Sequence, residues 1–141
     1  MPQLNFLDRY SAYALALLRI VTALIFMAHG TQKLFGFPAA PERGLPELLS
    51  LSGIGGLMEF VGGLFILFGL FTRPVAFLLA GEMAVAYWMF HAPQSFYPVL
   101  NGGDASILYC FVFLLLFFTG PGAWSIDATL AKGDSTSPAA K

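Results

Sequence analysis

The sequence contains few charged residues and almost no cysteine. Only 11% of its 141 residues are Asp, Glu, Lys or Arg, whereas a soluble domain carries about 25%. Its seven Lys and Arg are balanced by eight Asp and Glu, so the chain lacks the basic excess that binds nucleic acid. The sole cysteine, Cys110, has no partner for an internal disulfide, and zinc-binding Cys/His spacings are missing. These shortages argue against a soluble domain, a nucleic-acid partner, a metal site and thiol redox chemistry.

The residues that are abundant are apolar: 57% of the chain is hydrophobic and 16% is aromatic. A hydrocarbon core of about 30 Å requires roughly 20 apolar residues of helix. The sequence has four apolar stretches of about this length, at about residues 12–35, 53–71, 74–90 and 105–119. They predict an all-α integral membrane four-helix bundle, surrounded by membrane lipid, as a single domain over residues 1–130. The polar tail over residues 131–141 is expected to be disordered.

The orientation of the bundle follows from its basic residues, because cytoplasmic flanks carry an excess of Lys and Arg. Four spans place both termini and the turn at Thr72 on the same side of the membrane. That side holds Arg9, Arg73, Lys132 and Lys141. The other side holds only Arg43 and the helix-end Lys33. Both termini are therefore predicted to be cytoplasmic.

Ionisable residues inside the spans are the candidates for pairing or function, because a charge at the bilayer centre costs at least ~2.5–3.5 kcal/mol. They are Arg19, His29, Lys33, Glu59 and Glu82. Counting about 1.5 Å per residue from the predicted inner ends places Arg19 and Glu82 at one level. We expect these two residues to form a structural ion pair. Counted from the outer ends, His29 and Glu59 share a second level, nearer the outside.

A polar stripe and a glycine-rich face are predicted to meet near that outer level. Residues on one side of the first span recur in steps of three and four: Arg19, Thr22, Phe26, His29 and Lys33. The second span has glycines that allow close helix approach: Gly55, Gly56, Gly62 and Gly63. Close packing there would bury Glu59 against His29 or Lys33. A second copy of the chain, in a homo-oligomer, could use the same glycine face.

Three further polar residues reach the outer region: Gln32, Tyr109 and His91. The cluster has two interpretations: it forms a ligand pocket, or its polar contacts only stabilise the packing of the helices. A bis-histidine haem is disfavoured, because His29 and His91 differ in depth by about a turn and a half. The Glu-x-x-His pairs of a carboxylate-bridged di-metal bundle do not occur.

Several motifs follow one another along the predicted spans. The first is His29-Gly30-Thr31-Gln32-Lys33-Leu34-Phe35-Gly36, followed by Glu59-Phe60-Val61-Gly62-Gly63 and Leu67-Phe68-Gly69-Leu70-Phe71-Thr72-Arg73. Later in the chain come Asn101-Gly102-Gly103-Asp104 and Leu108-Tyr109-Cys110-Phe111. Together these motifs resemble the DoxX family of small bacterial four-helix membrane proteins, and the last two are similar to a branch of that family. The resemblance runs from about residue 12 to residue 127, and the order of the motifs on the spans is fairly specific to the family.

The resemblance implies a multi-pass protein of the bacterial inner membrane. It also implies a link to quinones, by kinship with the small membrane subunit of thiosulfate:quinone oxidoreductases, or a role as membrane partner in redox-stress complexes. All the family positions that carry over are present: Arg19, His29, Lys33, Glu59, Gly63 and Arg73.

Together these features favour a quinone or small-substrate pocket in the outer half of the bundle. Glu59, His29 and Lys33 are its candidate catalytic residues, and Gln32, Tyr109 and His91 its candidate substrate-binding residues. A quinone carbonyl would accept a hydrogen bond from Lys33, Gln32 or His29, while Glu59 relays a proton. The chain shows no cofactor of its own, so an enzyme would need a redox partner subunit that carries flavin, haem or another electron carrier.

The second interpretation is a non-catalytic membrane scaffold, or a carrier of lipid or a small solute. In that case the buried charges serve only to fix helix packing. The sequence leaves open whether the chain is an enzyme.

Overall fold

The computed structural model describes residues 5–134, which fold into helices joined by short loops. In chain order these are a 3-10 helix (Asn5–Tyr10), α1 (Ser11–Phe35), α2 (Leu51–Phe68), α3 (Thr72–Ala86), a π-helical turn (Tyr87–His91), α4 (Pro98–Asn101), α5 (Asp104–Thr119) and α6 (Ile126–Asp134). No β-strand occurs within residues 5–134, so the all-α class is confirmed there. The polar tail was predicted to begin at residue 131, but residues 131–134 form the end of α6. The rest of that tail, residues 135–141, lies outside the described part.

Three helical segments are long and apolar enough to cross a membrane: Phe6–Phe35, Leu51–Phe68 and Thr72–His91. Helix α5 is also apolar but is shorter, with 16 residues. The second span was predicted to end at residue 71, but α2 ends at Phe68. It stops there because Gly69 takes a left-handed conformation (φ 63°), which closes the helix with backbone bonds to its last carbonyls.

The outward faces of these helices are apolar. Large hydrophobic side chains such as Leu78 and Phe118 are 62% and 72% exposed. In water, such a surface would carry a large hydrophobic cost, whereas lipid solvates it without that cost. The described helices therefore have the surface of a membrane protein.

Helices α1 and α2 pack closely because glycines lie at their contact. A Cβ atom on Gly30 of α1 would lie only 2.6 Å from the backbone nitrogen of Phe60 and 2.9 Å from the carbonyl oxygen of Gly56, both on α2. Neither backbone atom can yield without moving the helix. Gly56 and Gly63 of α2 thus pack against α1 of the same chain, whereas Gly55 and Gly62 face α3.

Arg19 does not pair with Glu82, so the predicted structural ion pair is wrong. Arg19 is fully buried (0% exposed), and it donates to the carbonyls of Ile66 (2.7 Å) and Leu67 (2.5 Å) in the last turn of α2. Carbonyls at a helix C-terminus lack intrahelical partners and carry partial negative charge. The guanidinium also donates to three carbonyls in the loop after α5: Pro121, Ala123 and Trp124.

The two residues lie at different depths. Arg19 is beside the end of α2, next to the hairpin turn, whereas Glu82 is ten residues beyond Thr72, or about 15 Å along α3. A planar cation with five donors can be satisfied entirely by backbone carbonyls. Spacing between charged side chains does not reveal such acceptors.

Two further charged residues close helix ends near the same turn. Arg73 donates to the carbonyls of Phe117 (2.7 Å) and Phe118 (2.8 Å) at the C-terminal end of α5. The carboxylate of Asp127 accepts from the backbone nitrogens of Phe71 (2.8 Å) and Thr72 (2.9 Å), where α3 begins. We call Arg19, Arg73 and Asp127 the turn-end charges, because each of them bonds backbone groups at a helix end.

We predict that Arg19→Met lowers the free energy of unfolding by on the order of 3 kcal/mol, because buried carbonyls at the end of α2 lose their donor. The measurement is thermal unfolding in detergent, with the exposed Arg9→Met as the matched control. Glu82→Gln should leave the melting temperature close to that of the unmodified protein. If Glu82→Gln instead lowered the melting temperature as much as Arg19→Met, that result would support the ion pair.

Candidate functional site

A cavity of about 490 Å³ lies between α1, α2, α3, the π-helical turn and α5. Its volume is in the range of small-molecule sites, about 300–1,000 Å³. Most of the wall is apolar, with side chains such as Phe26, Met58 and Met83. The polar residues of the wall are His29, Lys33, Ser52, Glu59, Glu82, His91, Ser106 and Tyr109.

The ion pair between Lys33 and Glu59 forms one corner of this cavity. Lys33 Nζ donates to Glu59 Oε1 at 2.6 Å, and Glu59 is only 4% exposed. The contact depends on Gly56, since a Cβ atom there would lie 2.8 Å from Lys33 Cβ. The prediction that close helix packing buries Glu59 against Lys33 is confirmed.

Glu82 is the residue of this site that sequence reasoning missed, because we assigned it to Arg19. Its Oε1 lies 3.3 Å from the position that a Cβ atom on Gly55 would take, so its carboxylate faces α2. Glu59 precedes Gly69 by ten residues and Glu82 follows Thr72 by ten. In a tight antiparallel hairpin these equal spacings place the two carboxylates at the same depth. Counting residues from the turn would therefore have predicted that Glu82 lies beside Glu59.

Both carboxylates have an oxygen for which residues 5–134 supply no hydrogen-bond partner. These atoms, Glu59 Oε2 and Glu82 Oε2, are buried within the protein. A buried acceptor that finds no donor costs about 1–3 kcal/mol.

The two histidines lie at different edges of the cavity. His29 is on the exposed side of α1, and its ring contacts the ring of Tyr109 edge-on, with centroids 6.0 Å apart. His91 belongs to the π-helical turn, a feature that often occurs at functional sites, and its Nδ1 lies 2.9 Å from the carbonyl oxygen of Asn101. Because a carbonyl can only accept, Nδ1 donates this bond.

The structure places Gln32 outside the wall of the cavity, so its predicted substrate-binding role is not supported by its position. Successive residues of an α-helix are rotated by about 100°, so Gln32 points well away from its neighbour Lys33. The other five candidates, Glu59, His29, Lys33, Tyr109 and His91, all line the cavity. Their chemical roles stay predictions.

The wall combines one ammonium group, two carboxylates, two imidazoles and a phenol. These groups can orient a polar head group and exchange protons with it. Within residues 5–134, no group of three His, Cys, Asp or Glu side chains is suited to hold a metal ion.

Comparison with known proteins places the chain in a family. The family model for DoxX matches residues 14–92. An uncharacterized protein of Haemophilus influenzae is 41% identical over 92% of this chain and 99% of its own length. The inner membrane protein YqjF of Escherichia coli is 34% identical over 81% of this chain and 89% of its own length.

A more distant relative, named "Putative oxidoreductase CatD", comes from Bacillus subtilis. It is 27% identical over 83% of this chain and 87% of its own length. No solved structure is significantly similar to the chain. On the family match and the two relatives above 30% identity, the chain belongs to the DoxX family and is a multi-pass protein of the cell inner membrane.

Proposed function

We propose that this protein binds the head group of a lipid-soluble quinone in its cavity, as a membrane subunit of a quinone-dependent oxidoreductase. The observation that carries the proposal is the Lys33–Glu59 ion pair in the wall of a ligand-sized cavity. The oxidoreductase name of the Bacillus subtilis relative supports it.

The chemistry of the wall suits a quinone. A quinone head group is a flat apolar ring with two carbonyl acceptors. Lys33 has three N–H donors and one of them is used by Glu59, so others are available to a carbonyl. Phe26, Met58 and Met83 provide apolar and polarisable surface for the ring.

The cavity also borders the apolar outer surface. Four of its lining side chains are about half exposed: Leu51 (50%), Ile54 (44%), Val85 (49%) and Phe90 (48%). All four come from α2, α3 or the π-helical turn. A ligand dissolved in the bilayer therefore enters between α2 and α3, with its head in the cavity and its apolar tail in lipid.

Reduction or oxidation of a quinone moves protons as well as electrons. Glu59 and His29 are the proton-exchanging groups of the site, and Lys33 and Tyr109 orient the ring oxygens. The electrons come from a partner subunit that carries flavin, haem or another electron carrier.

The proposal includes the four-span topology. Helix α5 has 16 residues and is about 24 Å long, close to the ~30 Å of a hydrocarbon core. With α5 as the fourth span, both termini lie on the side of the turn-end charges. That side is cytoplasmic by its excess of basic residues.

This topology predicts the activity of reporter fusions. A reporter that is active only outside the cytoplasm should be inactive when it follows Lys141 and active when it is inserted near Glu42. Activity of both fusions would indicate an odd number of spans. A reversed pattern would show that the termini face outward.

The quinone site predicts that Lys33→Met and Glu59→Gln each weaken the binding of a short-chain quinone by roughly 5- to 150-fold, which corresponds to 1–3 kcal/mol. Binding is followed by quenching of tryptophan fluorescence, since Trp88 lies on the π-helical turn beside the cavity. The exposed Glu42→Gln, at a residue that does not line the cavity, serves as the matched control.

The same variants distinguish the scaffold or carrier interpretation. If the ion pair only fixes helix packing, both substitutions will lower the melting temperature and leave quinone affinity unchanged. That result would contradict the quinone site.

A further inference from the structure

Ser106 places a hydroxyl group in the wall of the cavity that has no hydrogen-bond partner within residues 5–134. The residue lies near the start of α5 and is only 9% exposed. Glu59 Oε2 and Glu82 Oε2 are closed off by the surrounding atoms, whereas the hydroxyl oxygen of Ser106 is not among the atoms closed off in this way. A ligand in the cavity can therefore reach it.

Two other hydroxyl groups of the described helices show how such a group is usually satisfied. Thr119 donates to the carbonyl of Leu115 at 2.7 Å, and Thr129 donates to the carbonyl of Ser125 at 3.1 Å, in each case four residues earlier. Ser106 makes no such bond within the described residues. Because a buried polar group without a partner is costly, its donor favours a ligand that brings an acceptor.

The position of Ser106 on α5 shows which way the hydroxyl group faces. Ser106, Tyr109 and Phe113 are spaced by three and four residues, so they share one face of the helix. The rings of Tyr109 and Phe113 both contact Phe26 of α1, with centroids 5.1 and 4.9 Å apart. Ser106 therefore faces α1, the helix that carries Lys33.

Lys33 and Ser106 also lie at a similar depth. Lys33 is two residues before the end of α1, and Ser106 is two residues after the start of α5. In the four-span topology these two helix ends are on the same side of the membrane. The cavity thus has two donors at one level, an ammonium group from α1 and a hydroxyl group from α5.

The start of α5 favours an uncharged acceptor beside Ser106. The first N–H groups of a helix lack intrahelical acceptors and carry partial positive charge, and no side chain caps this helix. Gly102 and Ala105, next to this start, line the cavity as well. Since Asp104 already supplies a negative charge in the same turn, the position suits a carbonyl oxygen better than an anion.

We propose that Ser106 binds one carbonyl oxygen of the quinone head group and that Lys33 binds the other. This inference rests on the proposed function and narrows the substrate class of that site to a ring with two carbonyl groups. The bound ring then bridges α1 and α5. A ketone with a single carbonyl lacks the second bond and binds more weakly.

The test compares the dissociation constants of a short-chain para-naphthoquinone and the matched tetralone, which has the same tail and one carbonyl group. Both are measured by tryptophan quenching on the full chain in lipid nanodiscs. Ser106→Ala should weaken binding of the quinone by about 2- to 12-fold, the range of one neutral hydrogen bond. It should change binding of the tetralone by about twofold or less, because a single carbonyl takes the stronger, charged donor Lys33.

Infrared spectra of the bound quinone provide a second measurement, since a hydrogen bond shifts a carbonyl stretch to lower frequency. We expect two shifted carbonyl bands in the unmodified protein. Ser106→Ala should return one of them to the position of the unbound quinone, with little change in melting temperature. The matched control is Ser11→Ala, at an exposed serine that does not line the cavity; it should leave both bands and both affinities unchanged.

Two results would overturn the inference and leave the quinone site standing, provided that Lys33→Met still weakens binding. One is a pair of carbonyl bands that Ser106→Ala leaves in place. The other is an equal loss of affinity for the quinone and the tetralone, because it would show an effect on packing rather than a bond to the second carbonyl. If the quinone does not bind to the unmodified protein, the proposed function fails together with the inference.

Discussion

The close approach of α1 and α2 is the constraint on which the site depends. Gly30 and Gly56 remove the side chains that would hold the two helices apart, and Lys33 then reaches Glu59. Each charge alone would cost a few kcal/mol inside a membrane, so the pair is tolerated because its members neutralise each other. The pair lies in the wall of a mainly apolar cavity and gives that wall a polar corner.

Charged residues serve two different purposes in the described helices. The turn-end charges bond backbone groups at helix ends, where free carbonyls and N–H groups would be costly in lipid. Lys33, Glu59 and Glu82 instead line the cavity, where Lys33 and Glu59 bond each other. The first group closes one end of the helix assembly. The second gives the cavity its chemistry.

Much of this arrangement could be predicted from the sequence, because length, hydropathy and helical spacing determine where apolar helices begin and which residues share a face. The Lys33–Glu59 contact followed from helical spacing and from glycines. The Arg19–Glu82 pair was wrong because backbone carbonyls, which no side-chain pattern displays, satisfy Arg19. Gln32 shows that depth in the membrane does not by itself predict a contact. It lies at nearly the same depth as Lys33 but on another side of α1, outside the cavity wall. The π-helical turn that carries His91 has no pattern of its own in the sequence.

The most direct test of the quinone site is photo-crosslinking of the protein in nanodiscs with a photoreactive short-chain quinone, mapped by mass spectrometry. The account predicts labelling of cavity residues such as Met58, Met83 and Tyr109, and loss of that labelling when excess quinol competes. Labelling confined to lipid-facing residues such as Leu78 and Phe118, unaffected by the competitor, would contradict it.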